Sequence, residues 1–322
     1  MQICVIGSLN TDMVIRTQKY PKRGETIIGE KLDILPGGKG GNAATAIAKL
    51  GKEVMLIGCV GNDSFGDKLV AELEKNGVNI SGIHRSDKSR TGTAMITIDA
   101  GAENTMLVVR GANDDLTPED VDQSFPVTKD CSVLLTQMEV AESAIIHAMR
   151  KAKDHGMLVI LDPAPAQGIT MRAFQYADII IPNEQETKYM TGIDVNSPED
   201  AIQAATYFQS LGISRSIIKM GRRGCLVYTP ERSEYIEAIP VKAVDTVVGD
   251  TFSGALAFSL ADGKDLFHAA RFASVVSALK VTRFGAQVGI PTLDEVNTFI
   301  SKFDLVDYLN GKQKQVSRGC FL

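Results

Sequence analysis

The chain has 322 residues, enough for one large α/β domain or two modest ones with a sizeable core. At 44% hydrophobic and 23% charged it has an ordinary globular composition, and a net charge of −5 argues against a broad nucleic-acid footprint. No apolar run approaches the ~20 residues that span a bilayer, so no membrane partner is expected.

Taken in chain order, ICVI (3–6) reads as a strand and not as a signal peptide, because Asn10 and Asp12 follow at once. Further strands are expected at 54–58, 133–138, 158–161, 178–181, 216–220 and 225–228. Amphipathic helices fall between several of them. One carries Leu69, Val70 and Leu73. The clearest spans Ala141 to Ala152, with apolar residues at 141, 144, 145, 148, 149 and 152. A third carries Ile202, Ala205, Phe208 and Leu211. Apolar strands alternating with helices predict a mainly parallel sheet covered on both faces, with ligands at the carboxyl ends of the strands.

Two regions break the rhythm. Segments 12–35 and 91–109 are β-rich without helices, and AGAE (100–103) suits a hairpin turn. Together they predict a small antiparallel sheet over the main site. The expected organisation is an α/β body from 1–11, 36–90 and 110–305, a lid from the two insertions, and a C-terminal tail at 306–322 whose last residues, GKQKQVSRGCFL, read as mobile. The cysteines Cys4, Cys59, Cys131, Cys225 and Cys320 are scattered, with no CxxC pair. They read as reduced thiols, four of them in the core, of a cytoplasmic protein. Histidines without HExxH spacing give no zinc signal.

Six stretches could carry chemistry. In GSLNTDMV (7–14), Asn10 and Asp12 alternate on one side of an extended segment, as a polyol site requires, although an Asx turn explains them equally simply. In PGGKGGNAATAIAKLG (36–51), four glycines precede an Ala-rich helix opening near Asn42. Gly38 permits close backbone approach, and Lys39 and Asn42 supply donors. The spacing is not that of a P-loop. Glu139 is placed at a strand end and helix start, where the helix dipole alone would favour a carboxylate.

Asn183 and Glu186 have the spacing of a capping box and also of a magnesium-proximal carboxylate. KMGRRG (219–224) reads as a strand, a glycine turn and a second strand, with Lys219, Gly221 and Gly224 available to a nucleotide and Arg222 or Arg223 to phosphate. VDTVVGDTFSGAL (244–256) sets Gly249 and Asp250 at the start of a buried helix. Asp250 can cap that helix. It can equally take a proton from a hydroxyl while nearby amides stabilise charge on a phosphoryl group.

From Asn10 to about Thr292, GGKGGN (37–42), DPAPA (162–166), PNEQE, GDTFSGAL (249–256) and VTRFGAQ resemble the ribokinase family of sugar and nucleoside kinases in content and order. The resemblance implies a three-layer Rossmann-like α/β fold with a β-lid that makes a homodimer. It implies transfer of the ATP γ-phosphate to the 5-hydroxyl of D-ribose. Asn10, Asp12, Gly38, Lys39, Asn42 and Glu139 would line the sugar site, with Asp250 as base and the amides at Val248 and Gly249 as anion hole. Asn183, Glu186, Lys219, Gly221 and Gly224 would serve ATP, with Glu186 indirectly on Mg2+. K+ would bind at Asp245, Val247, Lys280, Arg283, Gly285 and Gly289, mostly through carbonyls.

One departure stands out. The family pattern D-T-x-[GA]-A-G-D is one residue shorter here, DTVVGD, with Val247 and Val248 in place of small residues. The change crowds the phosphate approach and bears on the K+ site. The alternatives are a kinase of the same family for deoxyribose, fructose or a nucleoside, and a sugar-binding homologue with impaired catalysis. A dinucleotide-dependent oxidoreductase ranks last, because the first strand leads to GSLNTD and not to GxGxxG.

Overall fold

The protein is described from a computed structural model, covering residues 2–101, 104–128, 130–167, 171–244 and 248–312. The expected K+ ligands Asp245 and Val247, and Cys320, lie outside the described residues. In chain order the strands are β1 (Ile3–Ile6), β2 (Asn10–Arg16), β3 (Lys31–Gly37), β4 (Val54–Gly61), β5 (Asn79–Ser86), β6 (Gly92–Ile98), β7 (Asn104–Val109), β8 (Val133–Thr136), β9 (Leu158–Leu161), β10 (Ile179–Ile180), β11 (Arg215–Lys219), β12 (Gly224–Tyr228) and β13 (Ser233–Glu237). The helices are α1 (Lys39–Lys49), α2 (Ser64–Lys75), α3 (Pro118–Ser124), α4 (Glu142–Asp154), α5 (Glu184–Thr191), α6 (Pro198–Ser210), α7 (Gly249–Ala261), α8 (Leu266–Val281), α9 (Leu293–Lys302) and α10 (Val306–Leu309).

Nine strands form one sheet in the order β13-β12-β11-β10-β9-β8-β1-β4-β5. Pairings are parallel from β11 through to β5, and β12 and β13 add an antiparallel edge. β1, β4 and β8 are buried at every position, as strands covered on both faces must be. Ile3 and Val5 pack with α1, α7 and α8, while Cys4 and Ile6 face α4 and α6. The cysteines at 4, 59, 131 and 225 are buried and unpaired. In α6 the buried stripe is Ala201, Ala204, Ala205 and Phe208. The expected set is displaced: Ile202 and Leu211 lie toward solvent, because a series spaced strictly by three drifts around a 3.6-residue helix and Leu211 lies past the end of α6 at Ser210.

The second sheet has the order β3-β2-β6-β7. It is mixed where an antiparallel sheet was expected, because β2 and β6 pair in parallel. The reason is topological. β2 continues from β1 and β6 from β5, and both parent strands point the same way in the large sheet. Ile34, Met13, Met95 and Leu107 lie directly opposite one another across the four strands and so share one face. Leu35, Asp12, Ala94 and Val108 form the adjacent row and share the other.

Candidate active site

The glycine-rich stretch is not a loop leading into a helix. α1 already begins at Lys39, and Gly40 and Gly41 are its buried second and third residues. Low helix propensity predicted otherwise, but packing decides. A Cβ on Gly40 would strike the Gly7 backbone, and one on Gly41 would crowd Leu9 and Gln287. Gly38 has φ +87° and no room for a side chain, lying against Ser8 O and Asn10 N. The start of α1 is thereby pressed against the β1–β2 connection. Ser8 completes the junction. Its hydroxyl donates to Glu139 Oε2 at 2.6 Å and accepts from Lys39 N at 3.0 Å.

Glu139 is not in a helical first turn, as expected from sequence. It precedes α4 by three residues, in the loop after β8, so the helix dipole does not explain it. Lys39 Nζ lies 3.8 Å from Glu139 Oε1. Asp12 packs over Gly37, where any Cβ would collide with its carboxylate. Asp12, Glu139 and Asp250 thus share one space with one ammonium. Burial, then the charges of Asp250 and Glu139, push the Asp12 carboxyl up to about 7. Burial raises Glu139 as well, against the pull of Lys39 and Ser8. Burial alone would lower Lys39, but Asp250, Glu139, Asp162 and Glu186 outweigh it and hold that ammonium above its ordinary range.

Asp250 does not cap α7. The N-cap is Val248, and among the described residues no side chain bonds the first-turn amides. The Asp250 carboxylate instead accepts from Asn42 Nδ2 at 2.8 Å, while Asn42 Oδ1 is buried with no partner among the described residues. The first bond within the helix is Phe252 N to Val248 O at 3.0 Å. A half-buried helix start with no capping group among the described residues leaves amides directed at an anion. Lys219 Nζ stands close by, 3.9 Å from where a Cβ on Gly249 would lie.

Lys219 leads to a network that sequence reasoning missed. Asp162, buried after β9, accepts from Lys219 Nζ at 3.1 and 3.2 Å and from Ser253 Oγ at 2.6 Å. DPAPA is recognisable as a motif, but nothing in its spacing marks Asp162 as the junction of β9, β11 and α7. Asn183 and Glu186 form the capping box of α5, with Glu186 N to Asn183 Oδ1 at 2.9 Å and Asn183 N to Glu186 Oε2 at 2.7 Å. Glu186 is nevertheless part of the same field: burial raises its pKa, Lys219 opposes and Asp162 adds.

Gly221 (φ +55°) and Gly224 (φ +108°) make the turn between β11 and β12. A Cβ on Gly224 would strike the Ile236 carbonyl, so that glycine is required by the sheet alone. Arg223 is turned away to Glu184 and to Val195 O at 2.6 Å. Among the K+ candidates, Lys280 O accepts from Arg283 N at 2.9 Å and Gly285 O from Gly289 N at 3.0 Å. The Lys280 side chain is fully buried.

A family model described as pfkB family carbohydrate kinase matches residues 1–293. A ribokinase from Haemophilus influenzae is 36% identical over 299 residues, covering 92% of this chain and 98% of that one. A deoxyribokinase from Salmonella typhi is 34% identical over 303 residues, covering 94% and 99%. Among solved structures, ribokinase from Thermotoga maritima superposes with a TM-score of 0.85 at 36% identity, over 93% of this chain and 99% of that one. Arabidopsis thaliana ribokinase complexed with ribose and ATP gives 0.87 at 29% identity, over 93% and 98%. The chain belongs to the pfkB family of carbohydrate kinases.

Proposed function

We propose that the protein is an ATP-dependent ribokinase that phosphorylates the 5-hydroxyl of D-ribose with Asp250 as general base. The observation that carries this is the buried Asp250 carboxylate, held by Asn42 in the first turn of α7, where no capping side chain is found among the described residues. Asn42 occupies one carboxylate oxygen and so fixes the direction of the other. Asp250 then takes the hydroxyl proton as the oxygen attacks the γ-phosphorus, and the amides of Val248 and Gly249, with Lys219, stabilise the transferring charge. Asn10, Asp12, Lys39 and Glu139 hold the sugar, Gly38 lets it approach the backbone, and the small sheet closes above to exclude water. Asn183, Gly221 and Gly224 border the nucleotide.

Among the described residues no group of three or more His, Cys, Asp or Glu could hold a metal. The buried Glu186 carboxylate would hold Mg2+ indirectly, through water, alongside the ATP phosphates. Bound in this way, it offsets charge on the phosphates. The carbonyls of Lys280, Arg283, Gly285 and Gly289 are hard oxygen donors suited to K+.

The apolar row of Ile34, Met13, Met95 and Leu107 lies on the sheet face opposite Asp12. Leu107 is 73% exposed, and such a face supports a homodimer through the lid. No helix among the described residues is long and apolar enough to cross a membrane.

The test is ADP formation from ATP and Mg2+ with ribose, deoxyribose, fructose and nucleosides in parallel. Ribose should give the highest kcat/KM. The deoxyribokinase among the relatives makes deoxyribose the competing reading, and a higher kcat/KM for it would replace ribose.

A further inference from the structure

Asn113 follows β7, is 1% exposed, and faces three parts of the chain at once. Its Oδ1 accepts from Leu9 N at 2.9 Å. Its Nδ2 lies 3.1 Å from Leu9 O, 2.9 Å from Arg110 O and 2.9 Å from Asn10 Oδ1. Its backbone carbonyl accepts from Ala141 N at 3.2 Å, two residues from Glu139. The backbone neighbours leave no freedom in the amide. An N–H can only donate and a carbonyl can only accept, so Oδ1 must face Leu9 N and Nδ2 must face the two carbonyls. Two N–H hydrogens then serve three acceptors, one of them shared, and the atom that Asn10 turns toward Nδ2 must be its oxygen, since its nitrogen would set donor against donor.

We infer that Asn113 is a positioning residue that fixes the polarity of Asn10, committing its Oδ1 inward and presenting its Nδ2 to the sugar as a pure donor. This rests on the reading that Asn10 lines the sugar site. Asn10 is 4% exposed, and among the described residues its Nδ2 has no protein hydrogen-bond partner. The site is thereby divided. Asp12, Glu139 and Asp250 accept hydroxyl hydrogens, while Asn10 and Lys39 meet hydroxyl lone pairs.

Gly92 belongs to the same arrangement. It opens β6 directly opposite Asn10, and a Cβ there would collide with both Asn10 Oδ1 and Asn113 Nδ2. The pair therefore sits where β2, β6 and the end of β7 leave the body of the molecule, so the donor is aligned by the same residues that anchor the small sheet.

The experiment is a double-mutant cycle on the full chain, with Asn10→Ala, Asn113→Ala and the double variant. Steady-state kinetics are measured in ribose and in ATP, with thermal unfolding alongside. Asn113→Ala should raise the KM for ribose about tenfold, the equivalent of one lost hydrogen bond, and leave the KM for ATP within about twofold. In the Asn10→Ala background the same substitution should change the ribose KM little, because its effect passes through Asn10.

Equal losses for ribose and ATP, or full additivity of the two substitutions, overturns the inference. An Asn10→Ala variant with normal ribose KM overturns it together with the placement of Asn10 in the sugar site. Asn10→Asp keeps the volume, and the oxygen that faces Asn113, should the alanine variant fold poorly. It replaces the Nδ2 donor with an acceptor, and a selective loss for ribose is expected. Unchanged ribose KM in Asn10→Asp contradicts the proposal.

Discussion

Replacing Asp12 with asparagine should change stability in a pH-dependent way whose sign follows from the carboxylate cluster. In the folded protein, burial and the charges of Asp250 and Glu139 push the Asp12 carboxyl from 3.8 up to about 7. Below about pH 4 the group is protonated in both states and has no effect on the balance. Between about pH 4 and 7 the unfolded chain loses the proton and the folded chain keeps it, so stability falls as pH rises through that window. Above about pH 7 both states are ionised and the cost is constant. Three pH units at about 1.4 kcal/mol each set a ceiling of about 4 kcal/mol, and compaction of the unfolded chain reduces it to roughly 2–4 kcal/mol. Asp12→Asn carries no charge and removes this cost.

Urea unfolding of both proteins at pH 5, 6, 7 and 8 measures it. The variant should gain on the wild type steadily with pH and level off near pH 7. Glu139 titrates in both proteins and cancels to first order. A pH-independent difference, or a wild type that gains on the variant toward pH 8, refutes the electrostatic reasoning. Ribose affinity should move the opposite way. It should rise from pH 6 to 8 in the wild type as the carboxylate forms, and be weak and flat in the variant.

A Cβ on Gly254 would meet Ala43 O at 2.7 Å and the Ala46 Cβ at 2.9 Å. Gly254→Ala should therefore force α1 and α7 apart and cost about 1–3 kcal/mol by chemical denaturation, with catalysis reduced because Asn42 and Asp250 stand on those two helices. Leu107→Glu places a charge in the exposed row of the small sheet and should convert a dimer to a monomer by light scattering, with the thermal midpoint of the body unchanged. Adding KCl in place of a tetraalkylammonium salt should raise kcat, while unchanged kcat across the series removes the proposed K+ site.

Much of the body could be read from periodicity. β1, β4 and β8 announce themselves as apolar runs, and α4 as a stripe of alanine, isoleucine and methionine. β5 (NISGIHRS) and β13 (SEYIE) escaped, because edge strands carry polar residues that blur the pattern. Local propensity reads the glycines at 40 and 41 as a loop, while the demand for a missing side chain comes from Gly7 at one and from Leu9 and Gln287 at the other, all remote in sequence.

The same limit governs the site. Asp12, Lys39 and Asp250 stood in recognisable motifs. Asp162, Ser253 and Asn113 act through partners that only the fold brings together, and no spacing within one segment encodes them. The capping box at Asn183 and Glu186 shows the converse. The plain structural role and the place in the site field hold for the same pair.

The role of Asp250 is tested most directly by Asp250→Asn, with ribose binding measured by calorimetry and ADP formation by a coupled assay. Asparagine retains the shape and the contact with Asn42 but cannot take the hydroxyl proton. Binding should stay within a few-fold of the wild type while kcat falls by roughly 10²–10⁴. A variant that keeps most of its kcat, or one that loses ribose binding and turnover in equal measure, contradicts the assignment of Asp250 as the base.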